Sequence, residues 1–191
     1  MNSLRRLIPS LLFVWTLSPP VLAAHAHVHG QATLDVAVDG GDLSIHLDSP
    51  LESLLGFEHA PQNAKQLAAA KQMIAKLRAM QNLFLPTLAA GCTATNVALQ
   101  SEALDPKLLS GSHKKSPAKP AHKGHDHGGH EDHADLAADY NFQCAKAAQL
   151  HGMDIRLFDA FPKLRQIDVQ LVSPRGQSAV RLTPERKSLN W

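Results

Sequence analysis

Apolar and polar positions alternate over long stretches of the chain, and that alternation sets the first expectations. Ala32, Leu34, Val36 and Val38 alternate with Thr33, Asp35, Ala37 and Asp39. Asp39-Gly40-Gly41-Asp42 follows as a two-residue hairpin turn, and Leu43, Ile45 and Leu47 resume the pattern. The result is a hairpin with one apolar face and a polar face that carries Asp35, His46 and Asp48. With Gly40 and Gly41 as the loop, Asp35 falls opposite His46.

The period then changes. Pro50 to Gly56 suits a short helical turn, and Pro61 suits the first position of a longer helix. Leu67, Ala70, Ile74 and Leu77 fall at helical spacing on one stripe, with Lys65, Lys71, Lys76 and Arg78 mostly elsewhere, and Pro86 closes the region. Cys92 to Gln100 reads as a strand, as do Tyr140 to Cys144 and Asp154 to Phe158. Ile167, Val169 and Leu171 lead through Ser173-Pro174-Arg175-Gly176 to Val180 and Leu182, a second hairpin with a type I turn signal. Residues 105–134 break the pattern. They are rich in Pro, Gly, Ser, Lys, His and Asp and read as a disordered loop. The expectation is an α+β domain: an antiparallel sheet with a long amphipathic helix insertion and a disordered His-rich loop.

The first 23 residues fit none of this. Arg5 and Arg6 precede an apolar run, Leu7 to Leu17, and Val21-Leu22-Ala23 gives small residues at a cleavage spacing. The run is shorter than the roughly 20 residues that span a bilayer. Residues 1–23 are therefore expected to be a signal peptide, cut after Ala23 or Ala24. Residues 24–191 are then one exported domain of periplasmic type, without stable membrane insertion. Of 19 basic and 17 acidic residues, cleavage removes only the two arginines, leaving a nearly neutral chain with no basic excess for nucleic acid. Export also bears on Cys92 and Cys144: an even pair in an oxidising compartment reads as a disulfide, against the alternative of two buried thiols.

Histidine is the unusual component, at twelve residues. His113, His122, His125, His127, His130 and His133 lie in the loop, the last five in His-Lys-Gly-His-Asp-His-Gly-Gly-His-Glu-Asp-His. Imidazole nitrogen binds zinc at about 2.0–2.1 Å, and interspersed glycines let a short segment wrap several rings around one ion. Asp126, Glu131 and Asp132 can complete a shell. The pattern points to Zn2+ and does not exclude Cu2+ or Ni2+, which bind imidazole at least as well. A second group, His25, His27 and His29, alternates so that all three could face one side of a strand. His59, in Gly56-Phe57-Glu58-His59-Ala60-Pro61, stands before the long helix, where Glu58 or His59 could cap that helix or supply ligands. A second metal site that uses His27 or His29 with His59 is expected at one end of the first hairpin. No catalytic pattern is present: His130-Glu131-Asp132-His133 lacks the spacer of a metalloprotease helix. The reading is a binding protein, not an enzyme.

These segments together resemble the ZrgA-like zinc-regulated periplasmic proteins. The resemblance rests on His27-Val28-His29-Gly30, Ser49-Pro50, Gly56 to Pro61 and Ala90-Gly91-Cys92. It continues, after a variable His-rich loop, in Tyr140-Asn141-Phe142-Gln143-Cys144, Leu157-Phe158, Phe161-Pro162 and the Gly176-Gln177 hairpin running to Trp191. It implies a protein that binds zinc through its loop histidines and assists uptake when zinc is scarce. Two classes follow. One is a scavenger that feeds a zinc ABC importer or its solute-binding protein. The other is a metal buffer or copper- or nickel-handling chaperone with no transport partner.

Overall fold

The structure is a computed structural model, and it describes residues 28–110 and 134–191. The first hairpin forms as its alternation requires: β1 (Gln31–Asp39) pairs antiparallel with β2 (Asp42–Pro50), with Asp35 opposite His46. Gly40, at φ 56°, turns the chain where a side chain would be strained. Helix α1 (Leu51–Leu55) follows directly and ends at Gly56, whose φ of 92° is the left-handed geometry of a helix C-terminus. Helix α2 (Ala64–Arg78) comes next, then β3 (Phe84–Pro86), β4 (Cys92–Gln100), α3 (Pro106–Leu109), β5 (Asp135–Cys144), β6 (Gly152–Ile155), α4 (Leu157–Ala160), β7 (Gln166–Ser173), β8 (Gly176–Leu182) and β9 (Ser188–Asn190).

Six strands form one sheet in the order β4-β5-β2-β1-β7-β8, and β3, β6 and β9 form a second. The inner face of the large sheet carries Leu34, Val36, Leu43, Ile45, Leu47, Leu136, Tyr140, Ile167 and Val169, all buried. The small sheet packs on that face. The rings of Phe84 on β3 and Tyr140 on β5 meet at 4.9 Å and 59°, a tilted arrangement favourable to aromatic quadrupoles. Helix α2 adds Ala70, Met73, Ile74 and Leu77 to the same core.

The expected fold class needs correction. The large sheet is mixed, because β1 pairs parallel with β7 from Gln31↔Gln166 to Ala37↔Val172. Strand outweighs helix, at 45% against 26%. No long amphipathic helix is inserted. Helix α2 has 15 residues, and its buried stripe begins only at Ala70, with Leu67 half-buried. It does not begin at Pro61. Asn63 caps it, its side chain accepting from the Gln66 N–H at 3.0 Å while Gln66 Oε1 accepts from the Gln62 N–H. Asn63, rather than Glu58 or His59, is therefore the cap of this helix. The strand expected over Asp154 to Phe158 divides into the end of β6 and the start of α4. Residues 105–110 are not irregular: Asp105 accepts from the Lys107 N–H and caps α3, and Leu109 is buried.

Candidate metal centre

Val28-His29-Gly30 leads into β1 and is pinned on two sides. The Gly30 N–H donates to the buried Ser53 hydroxyl on α1 at 2.9 Å, and the Gly30 carbonyl accepts from the Arg165 and Gln166 N–H groups. Gly30 sits at φ 77°, and a Cβ there would come within 3.2 Å of the Lys163 carbonyl oxygen, so this anchor requires glycine. The anchor fixes the neighbouring His29. Its Nε2 lies 2.8 Å from Oε1 of Glu58, with side chains 58% and 23% exposed. Glu58 lies two residues beyond Gly56, the left-handed residue that ends α1.

His59 follows Glu58 directly. Its ring stacks on Phe57, with centroids 5.1 Å apart. Its Nδ1 donates to the Ala60 carbonyl at 2.8 Å, so Nε2 is the ring nitrogen available to a metal. A neutral imidazole whose other nitrogen is tied to a carbonyl is the usual state of a metal-binding histidine. The structure thus sets His29 on Glu58, next in sequence to His59. His29 and Glu58 are the residue types that would hold a zinc ion there, through one imidazole nitrogen and one carboxylate.

The outer face of the large sheet holds a different group. His46 does not bond Asp35, its partner across the hairpin. Its Nδ1 lies 2.7 Å from Oδ1 of Asp139, on its other side on β5. Asp35, His46, Asp48 and Asp168 line one open cavity of about 350 Å3. The sequence shows each of these as a polar position of a strand, but Asp139 joins His46 only through the β2–β5 pairing, which alternation does not reveal. Among the described residues, no group of three or more His, Cys, Asp or Glu side chains is arranged to hold a metal ion.

His27 of the expected second site and the loop residues His113, His122, His125, His127, His130 and His133 lie outside the described residues, as does His25. The ends of the described chain on either side of that loop are firmly placed. Arg78 donates to the Leu109 carbonyl, and the Leu51 N–H donates to the Ala134 carbonyl at 2.8 Å. Cys92 and Cys144 form a disulfide between directly opposed residues of β4 and β5. His151 lies at the small sheet, its N–H donating to the Thr87 hydroxyl and its carbonyl accepting from the Trp191 N–H. No described helix is long and apolar enough to cross a membrane.

Comparison with curated proteins gives no match. A family model does match, described as the ZrgA family zinc uptake protein and aligned over residues 26–191. That span takes in both sheets, the His29–Glu58 contact and the histidine-rich loop, so the chain belongs to the ZrgA family of zinc uptake proteins.

Proposed function

We propose that this protein binds zinc in the periplasm and assists its uptake, and that it acts by binding rather than by catalysis. Zinc is its cargo. The loop histidines His113, His122, His125, His127, His130 and His133 capture the ion, and the folded domain presents the loop between α3 and β5. A second point of capture lies at the start of β1, where His29 and Glu58 meet beside His59, with His27 two residues upstream. Zinc then passes to a zinc ABC importer or its solute-binding protein. The observation that carries this reading is the concentration of histidine in residues 122–133 of a chain that belongs to a zinc uptake family.

The test is calorimetric titration of residues 24–191 with zinc, alongside a variant lacking 113–133. The deletion is expected to keep the fold, because both its ends are tied to the domain by the Leu109 and Ala134 carbonyl contacts. It should lose most of the bound zinc. An unchanged zinc count would show that the loop is not the main site. Hand-off is tested separately in cells. The growth benefit of the protein under zinc scarcity should vanish when the importer is deleted, and a benefit that persists would favour a buffer.

A further inference from the structure

The large sheet has two edges, and they are built differently. On β4 the register with β5 breaks at a bulge between Ala94 and Asn96. The Thr93 and Thr95 hydroxyls donate to β5 carbonyls, and the disulfide fastens one end. Bulges are a common guard against strand addition. On β8 no such guard is present among the described residues. Gly176 to Leu182 pairs with β7 in unbroken register, is exposed except at Val180 and Leu182, and contains no proline and no lysine.

Which backbone groups of β8 face outward follows from its two ends. The β7–β8 turn closes on Ser173↔Gly176 with two residues between, and the residues flanking a two-residue hairpin loop bond each other. Gly176, Ser178, Val180 and Leu182 therefore point their N–H and C=O groups at β7. The other end agrees. Thr183, of the opposite parity, spends both its groups on Arg186, and the Arg181 carbonyl accepts from the Arg186 guanidinium. The N–H and C=O groups of Gln177 and Ala179 and the N–H of Arg181 are thus aimed away from the sheet.

We propose that this edge pairs with the same edge of a second copy of the chain, antiparallel and centred on Ala179, to make one continuous sheet across a two-fold axis. The sequence of β8 suits self-pairing. With Ala179 opposite Ala179, Gln177 of each copy stands opposite Arg181 of the other, and Ser178 opposite Val180. No charge meets its like, and like charges directly opposed are the usual obstacle to a symmetric strand pair. Arg181 is already turned to Asp168 on its own β7 at 2.9 Å, so its side chain lies along the face rather than across the edge. A two-fold strand pair is isologous and closes on itself, so it ends at a dimer. Its backbone bonds are those of strand addition.

The experiment is sedimentation velocity on residues 24–191 in the presence of a metal chelator, so that bridging ions play no part, over the concentration range that solubility allows. The mass is expected to double as concentration rises. Ala179→Pro removes an N–H that is not directed at β7, at an edge position where proline is tolerated. It should keep the circular dichroism spectrum and lose the dimer. Gln177→Lys places a cation opposite Arg181 and should weaken the dimer several-fold, and Gln177→Glu should tighten it. A chain that stays monomeric at every concentration would overturn the proposal and leave the edge to water or to an extended peptide. A dimer that survives both Ala179→Pro and Gln177→Lys would overturn it as well, by showing that the copies meet elsewhere.

Discussion

Glu58 shows what a single residue contributes here and how far sequence could find it. It stands in a motif whose histidine draws attention, yet the contact is made by His29, 29 positions earlier in the chain. An exposed ion pair of this kind contributes little to stability, so its main effect should be on metal binding. In the chain lacking 113–133, Glu58→Gln keeps the shape and removes the charge. Zinc affinity at the remaining site should fall by about tenfold or more, with the melting temperature unchanged. An affinity equal to that of the parent would remove Glu58 from the site. At the same scale, Asn63→Ala should cost about 1 kcal/mol of stability by denaturant titration, since Asn63 is the cap of α2. The candidate site was legible only in part. Composition singles out the histidines, and their alternation suggests one face. The partner of each ring depends on tertiary neighbours: Asp35 does stand opposite His46 in the β1–β2 register, yet the ring bonds Asp139 on the other side.

Among the elements, the hairpins were the most legible, because a period of two and a glycine turn are local signals. The β1–β2 register follows from the Gly40-Gly41 turn, and β7–β8 follows from Ser173-Pro174-Arg175-Gly176. The parallel pairing of β1 with β7 was not legible. The two strands are separated by most of the domain, and an alternating strand looks the same whether its neighbour runs with it or against it. Helix α2 starts at Ala64 behind its Asn63 cap rather than at Pro61, and its buried stripe is Ala70, Met73, Ile74 and Leu77 without Leu67. The β4–β5 pair carries a stability prediction. The disulfide joins residues 52 apart in sequence, and a loop of that size restrains the unfolded chain by about 4 kcal/mol in the chain-entropy model. Replacing both cysteines by serine should lower stability by up to that amount, measured by denaturant unfolding of oxidised parent against variant. A difference near zero would mean that the unfolded chain gains little freedom when the link is removed.

At the scale of the whole molecule, one residue reports on the entire core. Tyr140 is the only tyrosine in the chain and lies fully buried where the two sheets meet. Its hydroxyl has no hydrogen-bond partner among the described residues. Burial, and secondarily the neighbouring Asp139 carboxylate, push its ionisation well above the ordinary phenol value. In the unfolded chain the same phenol ionises near pH 10. The folded-state value is the higher of the two, so the folded protein keeps a proton that the unfolded chain gives up. The contribution of Tyr140 is therefore constant below about pH 10 and is lost as pH rises above it, at about 1.4 kcal/mol per pH unit. Two measurements follow from its being the sole tyrosine. The tyrosinate absorption band should appear together with loss of the far-ultraviolet circular dichroism signal, not before it. Tyr140→Phe removes an unpaired buried hydroxyl while keeping the ring against Phe84, so at neutral pH it should be as stable as the parent or more so, by up to about 1–3 kcal/mol. Above pH 10 the advantage of the variant should widen with each pH unit. A tyrosinate signal that develops while the protein remains folded would mean that solvent reaches the interface between the two sheets, and the closed core described here would fall with it.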